Sequence, residues 1–214
     1  MRIDHLVWYG AGLEAGRSFF AARLDKAPAY GGSHPGEGTA NHLSALGPDT
    51  YLEILGRDPG QPDARLDPEV AALAGEGLYH WAVGGIAIAD LKARAEAAGL
   101  AHGIAAGGRA KPDGTKLAWT CFGVRGHGFG ALIPFFIDWH DTPHPARAAP
   151  RGGSLVEFAV MSPQAARLQA IYDALGIDVS VREGPEPGFA ATIQAAARPL
   201  ALRSLAPLPH GYVI

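Results

Sequence analysis

The sequence predicts an α+β protein built from tandem βαβββ units. Two observations carry this. Ile3-Asp4-His5-Leu6-Val7 is echoed by Leu78-Tyr79-His80-Trp81-Ala82, each a short apolar strand with one histidine, 75 residues apart (5 to 80). Gly31-Gly32 and Gly38-Thr39 then parallel Gly107-Gly108 and Gly114-Thr115 at a common offset of 76 (31 to 107, 38 to 114).

In copy one, residues 1–56, a helix over Leu13–Leu24 follows the opening strand. Its Ala, Leu, Arg and Glu content and the apolar recurrence at three and four residues predict it. The glycine-rich stretch reads as strand, turn, strand, and Ala40–Leu46 and Tyr51–Leu55 complete the unit. Copy two, residues 76–139, repeats the order. Its helix, Ile88–Ala98, has Asp90 near the start and Gly99 as cap, and strands at 116–122 and 133–139 close the unit.

A third, weaker βαβββ-like unit occupies 154–205. Leu155–Val160 alternates as a strand, Ser162-Pro163 marks a helix start, and Gln164–Leu175 is a helix capped by Gly176. Short strands follow at 178–182, 189–195 and 200–205. His80 to Gly99 and Glu157 to Gly176 are both nineteen residues apart, so Glu157 stands where a third histidine is expected. Residues 56–74 need no regular structure, the Pro- and Arg-rich 140–153 is a linker, and 206–214 is a tail. An unpaired third unit must cover its sheet edge against the first two or in a homodimer.

Composition narrows the function. The chain of 214 residues is 48% hydrophobic and 18% charged, enough for a core, and carries a net charge of −3 with no block of like charge. That excludes an electrostatic nucleic-acid binder and a polybasic membrane surface. Cys121 is the single cysteine, and no signal-like apolar stretch opens the chain. The expectation is a cytoplasmic protein acting on a small molecule.

Several strings sharpen this. GGSHPGEGTAN over 31–41 runs into Thr50-Tyr51-Leu52-Glu53, and the second copy holds Pro112-Asp113-Gly114 before Trp119 and then Pro134-Phe135-Phe136-Ile137-Asp138-Trp139. These resemble the glyoxalase-like domain family of the vicinal-oxygen-chelate superfamily, over residues 1–205. The resemblance implies a cup-shaped mixed sheet formed when the first two units pair, with a metal or substrate inside. Carried over residue by residue, it implies His5, His80 and Glu53 as metal ligands. The fourth position is open: Gly123–Gly130 interrupts the alignment, so Glu53 corresponds to Phe135, Ile137 or Asp138, of which only Asp138 is a ligand type.

The residues support parts of this independently. His5 shares its strand face with Ile3 and Val7 and should point inward. Two imidazoles and a carboxylate suit Zn, Ni, Mn or Fe(II) with positions left for a substrate oxygen. The alternative is two histidines hydrogen-bonded in a pocket wall without metal. Glu53 lies in a buried-looking strand, where a carboxylate is a ligand, a general base or the partner of an arginine or backbone amides. Asp138 is the second candidate for proton transfer. Alternation gives the cup only one of Asn41 and His42; His42, Trp119 and Phe136 are the substrate-binding candidates. His34 sits in a structural hairpin at the rim, and Cys121 is a small buried hydrophobe. His127, His140, His144 and His210 are expected to face solvent. The expected function is a metal-dependent lyase, isomerase or dioxygenase-type enzyme, with a metal-free binding or sequestering protein as the alternative.

Overall fold

The opening strand of each of the first two units is buried along nearly its whole length and must be covered on both faces. In the computed structural model, which describes residues 1–10, 12–62, 66–110, 114 and 116–210, that requirement builds one sheet with two distinct sides. Strand β1 (Arg2–Tyr9) sends Trp8 outward against Phe20 of helix α1 (Leu13–Ala21), ring centroids 5.1 Å apart. Val7 and Tyr9 point the other way, into a separate apolar cluster inside the sheet's curve.

Unit one continues with β2 (Ala29–His34), β3 (Thr39–Ala45) and β4 (Tyr51–Arg57). Its last strand returns parallel to the first, which a crossover through a helix permits. Unit two repeats this with β5 (Gly77–Gly84), α3 (Ile88–Ala97), β6 (Ala101–Ala110), β7 (Lys116–Arg125) and β8 (Phe135–Asp138). β1 and β5 join the units antiparallel in an eight-stranded order β2-β3-β4-β1-β5-β8-β7-β6. The sheet curls until residues of its two edge strands, β2 and β6, come within 8 Å, Cα to Cα. The α+β class and the tandem units forming a cup are as the sequence predicts. Gly99 (φ 66°) and Gly176 (φ 79°) end their helices in the left-handed conformation expected of caps. Of the second-copy motif, Pro112, Asp113 and Thr115 lie outside the described residues.

The third unit keeps the order of elements but not the pairing. Strand β9 (Ser154–Ser162) lies parallel to β10 (Val181–Glu183), the strand just after helix α4 (Ala165–Leu175), and antiparallel to β11 (Gly188–Gln194). The order is β10-β9-β11-β12, with β12 at Pro199–Arg203. This sheet is covered by the first two units: Trp81 of β5 packs on Phe158 at 4.7 Å and on Tyr172 at 6.1 Å. The Leu205 amide also donates to the Leu78 carbonyl at 2.9 Å. Glu157, the histidine counterpart, is exposed and faces Arg182 at 3.4 Å.

Both connections depart from the sequence reading. Residues 56–74 are not wholly irregular: α2 (Pro68–Ala72) forms there because Asp67 caps the Glu69 amide at 2.8 Å and Pro68 suits the first helical position. Leu66 and Val70 pack on Val7, Tyr9 and Tyr79 and cover one end of the cup. The linker after β8 carries Ala146 and Trp139 onto Leu43, Ala45 and Tyr51 at the other end. Among the described residues no helix is long and apolar enough to cross a membrane.

Gly56 marks how tightly α1 sits on the sheet. A Cβ there would lie 2.8 Å from Leu13 Cα and 2.9 Å from its nitrogen, backbone that cannot rotate away. Gly56→Ala should cost about 1–3 kcal/mol of stability, read as a lower urea midpoint; an unchanged midpoint would show that α1 is loosely held.

Candidate active site

A β-bulge organises the site. Ile3 pairs with Val83 and His5 with Ala82, leaving Asp4 as the extra residue on β1. A bulge re-aims side chains, and here it lets Asp4 and His5 act together. Gly84 opposite provides the space, since a Cβ there would fall 2.6 Å from Asp4 Oδ2. Asp4 is 1% exposed and a buried carboxylate must find donors. It accepts from His5 Nδ1 at 2.8 Å, from His144 Nε2 at 3.1 Å and from the Trp139 indole at 3.2 Å. Burial alone would raise the Asp4 pKa. The hydrogen bonds from His144 and His5 outweigh it and hold the carboxyl well below the usual range.

His5 is sandwiched on the cup side. Tyr51 stacks on its ring at 4.6 Å and Phe135 meets it edge-on at 5.4 Å. Its Nε2 lies 3.7 Å from Glu53 Oε2. Glu53 pairs with Val7 across the β1–β4 ladder and so shares the inner face. Asn41 Nδ2 donates to Glu53 Oε1 at 2.7 Å, and His34 Nε2 stands 3.7 Å from the same oxygen. Asn41 and His34 also meet at 3.3 Å, while His34 Nδ1 reaches Thr39 Oγ1 at 2.8 Å. Asp4, His5, Glu53, Asn41 and His34 therefore form one hydrogen-bonded polar wall of the cup.

The expected metal set does not assemble. Among the described residues no group of three His, Cys, Asp or Glu side chains converges to hold an ion. Register settles the fourth position: Val7 pairs with Glu53, and its repeat counterpart Ala82 pairs with Phe135. The position is thus a phenyl ring, which coordinates nothing. His80 faces the cup opposite Val7, and complete burial pushes its imidazole down to about 3. These residues do not fit a metal centre of the expected composition.

Other expectations are corrected. His42 pairs with Ile54 on the helix side, where its Nε2 is 3.4 Å from Glu14 of α1, so Asn41 is the cup residue. Phe136 is fully buried in the outer core beside Phe122, and its neighbour Phe135 lines the cup. Trp119 does lie on the inner side, against Trp139 at 5.4 Å. Asp138 pairs with Thr120 and accepts from the His140 amide at 2.9 Å, away from the Glu53 cluster. It lines a cleft of about 620 Å³ together with Asp4, Trp139 and His144. His127 and His144, expected in solvent, are buried, the latter by Asp4. The signal for Asp4 was its acid beside an inward histidine in an apolar strand; the bulge that unites them leaves no mark in the sequence.

Two βαβββ units paired into a single curled sheet, with an inward histidine on each first strand, define the vicinal-oxygen-chelate fold. Within it the chain belongs to the glyoxalase-like domain family, whose sequence profile matches residues 3–176, from β1 through α4. A hypothetical protein from Staphylococcus aureus is similar over 94% of this chain and 84% of its own, with a TM-score of 0.66 and 17% identity. A Streptomyces coelicolor methylmalonyl-CoA epimerase in complex with 2-nitronate-propionyl-CoA aligns with 68% of this chain and 99% of its own at TM-score 0.49 and 18% identity. The Mn(II)-bound glyoxalase from Novosphingobium aromaticivorans aligns with 90% and 57% at TM-score 0.49 and 14% identity. These likenesses concern the fold alone. No curated protein matches the sequence.

Two outcomes test this description. Removing one donor from buried Asp4 with His144→Ala should cost about 3 kcal/mol in chemical denaturation, whereas His140→Ala at the exposed neighbour should cost within about 0.5 kcal/mol. Equal effects would remove Asp4 from its central place. Separately, His80 stays neutral in the folded state down to about 3, while the unfolded chain binds its proton near the ordinary value of 6.5. The stability this confers is present above that value and is lost as pH falls toward about 3, by up to about 1.4 kcal/mol per pH unit. His80→Gln should flatten that slope; an identical pH profile would contradict it.

Proposed function

We propose that this chain binds a small organic molecule in the cup between its first two units and transfers a proton on it without a metal, with Glu53 as base and His5 beside it. The observation that carries this is the Glu53 carboxylate, fixed by Asn41 at 2.7 Å, with its free oxygen 3.7 Å from an imidazole that Asp4 orients. A carboxylate held against an oriented histidine is the arrangement that general acid–base chemistry needs, and such contacts tighten when substrate arrives. Phe135 at the fourth ligand position supports a metal-independent reaction over a metal-dependent lyase or dioxygenase.

The step is simple. Glu53 Oε2 takes a proton from a carbon beside a carbonyl, the C–H bond breaks, and its electron pair passes into the carbonyl as an enolate. The protonated carboxyl then returns a proton to carbon. Tyr51 and Phe135 exclude water around this wall and favour an apolar substrate body.

The test is hydrogen–deuterium exchange at carbon, followed by NMR in D₂O, on a panel of small hydroxyketones and aryl-substituted aldehydes with tag-free protein. Exchange should survive chelation and fall about 10²–10⁴-fold in Glu53→Gln. Near-stoichiometric metal in plasma mass spectrometry, with exchange abolished by chelator, would overturn the proposal. Tight binding with no exchange would leave a sequestering protein instead.

A further inference from the structure

The cleft beside Asp138, about 620 Å³, is large enough for a small organic molecule, and the sheet sorts its charges into two walls. Arg2 at the start of β1 pairs with Gly84 of β5. On the other side of β5 the parallel ladder joins Ala82 to Phe135 and Val83 to Phe136, which carries Gly85 toward Asp138 at the end of β8. Arg2 and Asp138 therefore stand two strand spacings apart, about 10 Å between backbones. Gly85 between them adds no side chain. Its φ of 80° favours glycine, and a Cβ there would fall 3.0 Å from Arg2 Nη1.

Each wall has a net sign. On the first, Arg2 and Arg147 share one carboxylate, Asp49, at 4.0 Å and 3.5 Å, which leaves one positive charge over. On the second, Asp138 and Asp141 line the cleft. His140 there turns its Nε2 to Thr120 Oγ1 at 2.9 Å, and its Nδ1 stands 3.8 Å from Asp138 Oδ2, too far for a hydrogen bond. Asp138 spends Oδ1 on the His140 amide and keeps 35% of its side chain exposed. Ile86, next to Gly85, adds apolar surface to the same cleft. An anion alone would meet the carboxylates of the second wall, and a cation alone the guanidinium groups of the first. A molecule with both charges, several atoms apart, meets its opposite at each end.

We infer that this cleft binds a small zwitterion, with its carboxylate on Arg2 and Arg147 and its ammonium group on Asp138 and Asp141. Binding here needs nothing from Glu53 or from the proton transfer proposed for it. The walls are partly exposed, so the attraction is screened by salt.

The test follows the backbone amide resonances of the whole ¹⁵N-labelled chain at low salt while γ-aminobutyrate, butyrate or butylamine is added. The three share a carbon chain and differ in the charges they carry. γ-Aminobutyrate should shift the Gly85 and Ile86 amides at about tenfold lower concentration than either single-charge analogue, and added salt should weaken it. Arg2→Gln should lower its affinity about fivefold and leave butylamine binding no weaker. Asp138→Asn, whose amide oxygen still accepts from the His140 amide, should lower it about fivefold and leave butyrate no weaker. Unchanged resonances away from the cleft report that both variants keep the fold. A single-charge analogue that binds as well as the zwitterion, or an affinity indifferent to both substitutions, would overturn the inference. So would the absence of any shift at Gly85, or shifts confined to Asn41 and Glu53 in the cup.

Discussion

The buried carboxylate of Asp4 is the constraint on which the site depends. A charge removed from water must be met by hydrogen bonds or it destabilises the fold by several kcal/mol. No single element supplies them. His5 comes from the same strand, and His144 and Trp139 come from the connection between the second and third units. Satisfying Asp4 therefore seats that connection over the cup and, in the same act, fixes which nitrogen of His5 looks inward. The fold's demand for satisfaction and the site's demand for orientation are met by one set of contacts.

The two connections have more in common than their position. One brings Leu66 and Val70 against the inner face, and the other brings Ala146 and Trp139. Both supply apolar surface that a sheet curved on itself cannot provide at its ends. The third unit contributes differently, on the helix side, where Phe158 and Tyr172 enclose Trp81. Its first strand pairs with the strand after its helix, so it is a separate βαβ crossover with an added hairpin and not a further copy of the pairing used twice before it.

Much of this was legible in the chain. The echo of His5 at His80 and the paired glycines reveal the duplication, because each repeat must bury the same faces. Alternation placed His5 on the inner side, and the family resemblance placed Glu53 there. Three things were not legible. The bulge at Asp4 inserts one residue into a strand whose composition is unchanged by it. The register of β8 depends on how Gly123–Gly130 is accommodated, so Phe135 and Phe136 exchange sides with a shift of one residue. And His144, in a stretch of prolines and small residues, resembles solvent-facing loop until Asp4 is known to need it.

The meeting of β2 and β6 has a consequence for traffic. An open sheet can admit a molecule along its whole length, but here the side wall is drawn together and the two ends are covered. The Glu53 and His34 side chains nonetheless keep 12% and 15% of their surface exposed, so solvent meets the polar wall beside β2 and not through the covered ends.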